Sequence, residues 1–166
     1  MRIRPERVED VQPIRRINLD AFDTDAEANL VDVLRRSGIP LISLVAEDQG
    51  ILVGHILFSP VTLEAASVPV AGLAPMAVVP PRQNEGIGSL LVEEGLRQCV
   101  EAGYAAVVVL GHPGYYPRFG FVVSTHYGIT SEYDVPAEVF MVKELTAEAL
   151  SGVQGVVRYH PVFNEL

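Results

Sequence analysis

The most informative part of the sequence is the stretch Met76-Ala-Val-Val-Pro-Pro-Arg-Gln-Asn-Glu-Gly-Ile-Gly-Ser-Leu-Leu91. Its apolar start predicts a strand, and its two glycines open a long helix that we expect to run from Gly86 to about Ala102. The first amides of a helix have no partner inside it, and the helix dipole adds partial positive charge there. Glycines at Gly86 and Gly88 let a bulky anion reach the backbone, so the stretch predicts a phosphate or pyrophosphate cradle.

Two other glycine-rich phosphate patterns do not fit this stretch. A P-loop needs Lys-Ser or Lys-Thr after the glycines, whereas Ser89-Leu90 follows Gly88 and the only lysine is Lys143. A dinucleotide fingerprint needs a third glycine and an early first strand. The pattern Gln/Arg-x-x-Gly-x-Gly/Ala after a strand fits in full at Gln83–Gly88. Two glycines in a first helical turn cost roughly 1 kcal/mol each relative to alanine, which favours a ligand-binding role.

The pattern of apolar residues along the chain predicts an α/β protein. Helices are predicted at about 10–21, 26–36 and 86–102, and strands at 1–4, 41–47, 51–64, 68–79, 105–110, 121–123 and 139–145. Hairpins together with one strand–helix–strand crossover predict a mixed, mostly antiparallel central sheet flanked by helices. In the third helix the inward residues are predicted to be Ile87, Leu90, Leu91, Leu96 and Val100.

Length, composition and charge restrict the class of protein. The 166 residues fit a single domain, which we expect to span residues 1–166, and 49% hydrophobic with 20% charged residues indicates a folded chain. One cysteine, Cys99, excludes a disulfide framework, and we expect it in the core of the third helix. The four histidines show no metal-ligand spacing, so no metal site is expected.

The formal net charge of -9 argues against a nucleic-acid partner, because phosphate contacts need a basic surface. No apolar run approaches the length of a membrane span, and no apolar signal core follows the first ten residues. We therefore expect a cytoplasmic protein with no membrane partner, present as a monomer or a homodimer.

A second informative stretch lies between Val107 and Phe121. A buried strand ends in a Gly/Pro-rich loop with adjacent Tyr115 and Tyr116, and Gly120 leads into another strand. With both stretches considered, the chain resembles the GNAT superfamily of acyl-CoA-dependent N-acyltransferases over nearly its whole length. The first stretch looks like the pyrophosphate loop of that family, and Tyr116-Pro-Arg-Phe-Gly-Phe121 looks like its Tyr-x-x-x-Gly-Phe segment. More narrowly, Val-Leu-Gly-x-Pro-x-Tyr-Tyr-x-Arg-Phe-Gly-Phe resembles a branch of small bacterial proteins known mostly as predicted N-acetyltransferases.

The resemblance implies that acetyl-CoA is the co-substrate and lies between the strands 68–79 and 105–110. Pro75 is consistent with strands that part at this point. Arg82 is placed to neutralise a phosphate. One departure from the family is Glu85, where a small or basic residue is usual. The pantetheine arm is assigned to Ala77, Val78 and Val79, and the pyrophosphate to Gln83, Asn84, Glu85, Gly86, Ile87, Gly88 and Ser89.

The resemblance also implies direct attack of a neutral amine on the thioester, without a covalent enzyme intermediate. A backbone N–H near Val78 would stabilise the developing oxyanion. By its position in the motif, Tyr116 would protonate the leaving thiolate as general acid, with Tyr115 as the second choice. The base stays open among five residues. These are Glu27, Asp23, Asp25, His55 and His112, of which Glu27 comes first, as base or acceptor contact, because that helical region lines the acceptor site in the family.

Two alternatives remain open at this point. One is a transferase that uses a longer acyl-CoA, and the other is a non-catalytic acyl-CoA-binding or regulatory module. The intact Tyr116 argues against the second alternative. The amine acceptor is not identified by the sequence. If the acids Asp20, Asp23, Asp25 and Glu27 line its site, we expect a cationic amine, because clustered carboxylates attract cations.

Overall fold

The structure, a computed structural model, describes residues 1–64 and 66–165. The described residues form three α-helices and nine β-strands. The helices are α1 (Val11–Ala21), α2 (Ala26–Ser37) and α3 (Ile87–Glu101), and the strands are β1 (Arg2–Pro5), β2 (Ile42–Asp48), β3 (Ile51–Leu63), β4 (Val70–Val78), β5 (Ala106–Leu110), β6 (Val122–Val123), β7 (Ile129–Ser131), β8 (Phe140–Glu144) and β9 (Gly155–Arg158). Each predicted helix and strand is present, with ends shifted by no more than about two residues.

The chain divides into two compact units. The first comprises Met1–Ser59, Ala74–Gly95 and the residues from Pro161 onward, and the second comprises Pro60–Leu73 and Leu96–His160. The single domain expected over residues 1–166 therefore stays a prediction. Within the part of the chain that the structure describes, no α-helix has the length and apolar character that a bilayer crossing requires.

The first unit is built on the antiparallel strands β1, β2 and β3. The β2–β3 hairpin closes through Gln49 and Gly50, whose φ angles of 51° and 79° suit a tight two-residue turn. Successive side chains of a strand point to opposite faces of the sheet. His55 of β3 accordingly contacts α1, whereas the Gly54 position faces Ile87 and Leu91 of α3. Helices thus cover both faces of this part of the sheet.

The parallel strand pair of the predicted crossover lies in the second unit. The start of β4 pairs in parallel with β5, with Val70 opposite Ala106, after the chain has passed through α3. Strand β5 pairs antiparallel with β8, and β8 pairs with β6. Two strands were not predicted: β7 and β9, which pair in parallel with each other, while β9 also pairs with the end of β3. With three and four residues, they are too short to show a periodic pattern.

The buried face of α3 differs from the prediction at two positions. Leu90 and Val100 are 44% and 46% exposed, so the prediction that they point inward is wrong. Val92 is buried although it was not predicted to be, together with the correctly predicted Ile87, Leu91, Leu96 and Cys99. The reason is the position of Gly95, which the apolar pattern did not count.

Gly95 continues the i, i+4 stripe of α3 and lies against the ring of Phe58, leaving no space for a side chain. A β-carbon built at Gly95 would overlap the ring of Phe58, a residue of β3 that is almost fully buried. Helix and strand can approach this closely only because position 95 has no β-carbon. This contact sets the distance between α3 and β3 in the first unit.

We expect Gly95→Ala to destabilise the protein. Overpacking of this kind typically costs about 1–3 kcal/mol, which outweighs the roughly 1 kcal/mol that alanine gains over glycine in a helix. Denaturant unfolding measures the change in the free energy of unfolding. Adding Phe58→Leu to Gly95→Ala should restore part of the loss. The control is Gly114→Ala, because a β-carbon there meets nothing within 4 Å, and an equal loss in the control would contradict the explanation.

Candidate active site

The loop between β4 and α3 has the backbone shape that an anion cradle needs. The amide of Arg82 donates to the Val79 carbonyl at 2.9 Å, closing a short turn after the strand. Asn84 and Gly86 then adopt left-handed conformations with φ angles of 64° and 89°. The first hydrogen bond of α3 runs from the Leu90 amide to the Gly86 carbonyl at 3.1 Å. The helix therefore begins with its first amides directed at the loop.

The cradle is open where a ligand would approach. A β-carbon built at Gly86 has nothing within 4 Å, so the space beside this residue is free. Among residues 1–64 and 66–165, no backbone carbonyl accepts a hydrogen bond from the amides of Glu85 or Gly86. Unpaired amides at the positive end of a helix favour an anionic ligand such as a pyrophosphate.

The end of β4 directs one backbone group away from β3. The amide of Val79 donates to the Val53 carbonyl at 3.0 Å, so it faces β3. Successive residues of a strand direct their backbone groups to alternate sides, and the N–H of Val78 therefore points away from β3. The Val78 carbonyl accepts a hydrogen bond from the Gln83 side chain at 2.9 Å, which leaves the N–H as the available group.

Arg82 is held by carboxylates of the protein itself. Its guanidinium lies 2.9 Å from the Glu85 carboxylate and 3.1 Å from that of Asp48 in β2. The hydrogen bond to Glu85, followed by that to Asp48, raises the pKa of Arg82. These contacts tie the cradle to the β2–β3 hairpin and explain the acidic residue at position 85. A phosphate contact by Arg82 has to compete with both carboxylates.

Glu27 lies in the first turn of α2, where a carboxylate is favoured by the helix dipole. The residue is half-buried, and its Oε1 atom is buried without a hydrogen-bond partner among the described residues. A buried carboxylate oxygen without a partner is costly, which points to a ligand or water at this position. Asp23 and Asp25, by contrast, are exposed in the bend before α2.

His55 is part of a buried hydrogen-bonded chain and is poorly suited to act as the base. Its side chain has no solvent exposure, and burial lowers its pKa to about 3. The Asn18 side-chain amide lies 3.3 Å from His55 Nδ1, and Ser43 Oγ lies 2.9 Å from Nε2. Because the amide donates, Nε2 carries the proton and donates to Ser43, which in turn donates to Glu6.

Tyr116 belongs to the second unit, whereas the cradle and Glu27 belong to the first. Its ring is 7% exposed and packs edge-on against Tyr115 and Phe121, at centroid distances of 5.1 Å and 5.6 Å. Burial raises the pKa of Tyr116 to about 12, so its hydroxyl keeps its proton at neutral pH. A β-carbon built at Gly111 would overlap the Tyr116 ring, which makes this glycine a positioning residue.

The other candidates of the second unit are more exposed. His112 is exposed, and its carbonyl accepts a hydrogen bond from the Tyr115 amide at 3.0 Å. The Arg118 guanidinium lies 4.5 Å from the centroid of the Tyr115 ring, which is therefore covered on that face.

In this unit the register between β4 and β5 ends at Val108, while Val109 and Leu110 pair with β8.

No group of three or more His, Cys, Asp and Glu side chains within the described residues is arranged to hold a metal ion. The single thiol, Cys99, is buried, and burial raises its pKa to about 12. A neutral, inaccessible thiol fits the predicted core position.

Comparisons with known proteins point to one family. Residues 11–121 match the profile of the Acetyltransferase (GNAT) family. The chain is 40% identical over 165 residues to the uncharacterized N-acetyltransferase YhbS of Escherichia coli K12, covering 99% of both chains. It is 37% identical over 150 residues to the uncharacterized N-acetyltransferase YjhQ of the same organism, covering 86% of this chain and 83% of YjhQ.

Two solved structures are similar along most of their length. The crystal structure of Escherichia coli YhbS in complex with CoA has a TM-score of 0.94 and 40% identity, covering 98% of this chain and 91% of that one. A GNAT family acetyltransferase from Brucella melitensis in complex with acetyl-CoA has a TM-score of 0.81 and 37% identity, covering 98% and 97%. These similarities confirm the predicted fold class, a mixed and mostly antiparallel sheet with flanking helices. The chain belongs to the GNAT family of acetyltransferases.

Proposed function

We propose that this protein transfers the acetyl group of acetyl-CoA to a primary amine by direct attack of the amine on the thioester. The observation that carries the proposal is the open cradle of unpaired amides before α3. Support comes from similar proteins whose structures contain CoA or acetyl-CoA. We also propose that residues 1–166 act as one N-acetyltransferase domain.

The cradle residues 83–89 would bind the pyrophosphate of acetyl-CoA through backbone amides. The backbone of Ala77, Val78 and Val79 would pair with the amide-rich pantetheine arm, and Arg82 would add charge beside the phosphates. The Val78 N–H, which points away from β3, is the group we assign to the thioester oxygen as negative charge develops on it. Fixed backbone donors of this kind need no reorganisation during the reaction.

Tyr116 is assigned the proton that the leaving group requires. The amine nitrogen forms a bond to the carbonyl carbon, the carbon–sulfur bond breaks, and the Tyr116 hydroxyl gives its proton to the sulfur. Burial raises the pKa of Tyr116 to about 12, so the hydroxyl holds its proton at neutral pH. Glu27, with its unpartnered Oε1, is assigned to take a proton from the amine, directly or through a water. This sequence of steps needs no covalent enzyme intermediate.

Acetyl-CoA should stabilise the protein against unfolding. A ligand at 100 times its dissociation constant adds about 2.7 kcal/mol to the free energy of unfolding, which raises the melting temperature. Gly88→Val should abolish this rise, because a branched side chain blocks approach to the first turn of α3. The melting temperature and circular dichroism of the ligand-free variant serve as the folding control. No rise in wild-type protein at saturating acetyl-CoA would exclude the proposed function.

Tyr116→Phe should lower kcat by roughly 10²-fold while the KM for acetyl-CoA changes little. The phenyl ring keeps the packing against Phe121, so only the transferable proton is lost. Release of CoA thiol in the presence of an amine panel measures the rate, and Tyr115→Phe is the matched control. Full turnover in Tyr116→Phe with loss in the control would move the role to Tyr115.

Glu27→Gln should reduce the rate of acetyl transfer without affecting the stabilisation by acetyl-CoA. The amide keeps the shape of the side chain but cannot take a proton from the amine. Raising the pH should restore part of the rate, because it increases the fraction of neutral amine. Asp23→Asn, at an exposed position nearby, is the control. If both variants keep the wild-type rate, Glu27 is neither base nor acceptor contact.

The same assay separates the alternatives. A transferase for longer acyl chains would release thiol faster from a longer acyl-CoA than from acetyl-CoA. A non-catalytic module would be stabilised by acetyl-CoA but would release no thiol with any amine. The intact Tyr116 of the Tyr-x-x-x-Gly-Phe segment argues against a non-catalytic module.

A further inference from the structure

The cradle carries a charged group of its own, formed by Asp48, Arg82 and Glu85 within the first unit, which we call the Arg82 cluster. The Arg82 Nε atom donates a hydrogen bond to Oε1 of Glu85 at 2.9 Å. The Arg82 Nη1 atom lies 3.1 Å from Oδ2 of Asp48, the last residue of β2. Two carboxylates thus face one guanidinium, so the cluster carries an excess of negative charge.

This excess charge opposes the ligand that the backbone of the cradle favours. Unpaired amides and the helix dipole attract an anion, whereas a negatively charged cluster in the same loop repels it. Charges at a protein surface act on one another over about 8 Å at physiological salt. Glu85 is itself a cradle residue, so its carboxylate acts on any anion that the neighbouring amides bind. The ligand-free arrangement of the cluster is therefore not the one that suits a bound pyrophosphate.

The two carboxylates of the cluster differ in how firmly they are held. The Glu85 side chain is 45% exposed and, among residues 1–64 and 66–165, pairs with Arg82 alone. Its backbone amide donates to no backbone carbonyl in the same ranges. Asp48 is 30% exposed, pairs with Ile51 in the β2–β3 hairpin and lies 3.9 Å from the N-terminal ammonium group. Glu85 can therefore leave Arg82 by rotation of its side chain, whereas strand pairing fixes the backbone of Asp48.

We propose that a pyrophosphate oxygen of acetyl-CoA replaces the Glu85 carboxylate on Arg82 Nε, while Asp48 keeps its contact with the guanidinium. The inference rests on the acetyl-CoA binding of the proposed function. A phosphate oxygen accepts the same charge-assisted hydrogen bond as a carboxylate oxygen. Once Glu85 has turned into solvent, the charges of Arg82 and Asp48 cancel and the helix dipole acts on the phosphates unopposed. Glu85 is then a competitor that lowers the affinity for acetyl-CoA, and Asp48 is a positioning residue for Arg82.

Glu85→Gln should lower the Kd and the KM for acetyl-CoA about threefold, within the range that exposed ion pairs contribute. The uncharged amide is displaced from Arg82 more easily than a carboxylate. Isothermal titration calorimetry measures the Kd, and thiol release with an amine panel measures the KM. The matched control is Glu93→Gln, which removes an equal charge from an exposed position in the second turn of α3. Weaker binding by Glu85→Gln, or an equal gain in the control, overturns the inference.

A double-mutant cycle separates exchange on Arg82 from general repulsion. With Arg82→Gln there is no guanidinium for Glu85 to release, so adding Glu85→Gln should no longer improve binding. General repulsion by Glu85 would persist without Arg82, and the gain would then be at least as large in the Arg82→Gln background. That second result overturns the exchange. The melting temperatures of the ligand-free variants show whether each of them is folded.

Asp48→Asn tests the positioning role, because two explanations predict opposite signs. Removal of a negative charge by itself would tighten acetyl-CoA binding, as Glu85→Gln does. If Asp48 positions Arg82, its loss should instead raise the Kd about threefold, since the guanidinium is no longer tied to the β2–β3 hairpin. Asp48→Glu keeps the charge and should restore part of the affinity. Tighter binding by Asp48→Asn would show that Asp48 is a second competitor and not a positioning residue.

The choice of ligand identifies the phosphate and separates this inference from the proposed function. The molecule 3′-dephospho-acetyl-CoA keeps the pyrophosphate, so Glu85→Gln should improve its binding as much as that of acetyl-CoA. If the gain vanishes with this ligand, the assignment to the pyrophosphate is wrong. If acetyl-CoA binds and Glu85→Gln behaves like Glu93→Gln, the exchange fails and the acetyl-CoA site stands. If the expected changes in Kd are found but no amine leads to thiol release, the exchange stands and the proposed transfer fails.

Discussion

The candidate site depends on the unpaired backbone amides where β4 ends and α3 begins. Asn84 and Gly86 adopt positive φ angles where the chain turns into α3, and the space beside Gly86 is open. Side chains of the loop are used to hold this shape, since Gln83 binds the Val78 carbonyl and Arg82 binds Glu85 and Asp48. The loop is therefore formed before any anion arrives, and little ordering entropy is lost on binding.

The position of α1 depends on a second, buried set of contacts. Asn18 of α1 reaches His55, which binds Ser43 and, through it, Glu6. With a pKa lowered to about 3, His55 stays neutral at physiological pH and its hydrogen bonds keep one direction. At the other end of α1, the Arg4–Asp10 pair holds the chain that enters the helix. The two anchors fix the position of α1 within the first unit.

Local sequence patterns predict most of the helices and strands, but they fail where tertiary packing determines which residues are buried or paired. Amphipathic spacing located α1, α2 and α3, because apolar periodicity reflects a single buried face. The same reasoning misplaced Leu90 and Val100, since Gly95 counts as neither apolar nor polar although it faces Phe58. Strands β7 and β9 were not predicted, because their stability comes from partners distant in sequence rather than from a pattern of their own.

The sequence by itself predicted the family, the order of most elements and the position of the cradle, because each depends on residue types at fixed spacing along one segment. The glycines before α3 and the Tyr-x-x-x-Gly-Phe segment can each be recognised within about fifteen residues of sequence. The tertiary structure alone decided which charged groups are free. Arg82 is engaged by Asp48, His55 is sealed from solvent, and Glu27 has a buried carboxylate oxygen without a partner among the described residues. Pairing and desolvation depend on residues brought together from distant parts of the chain, so no local pattern records them.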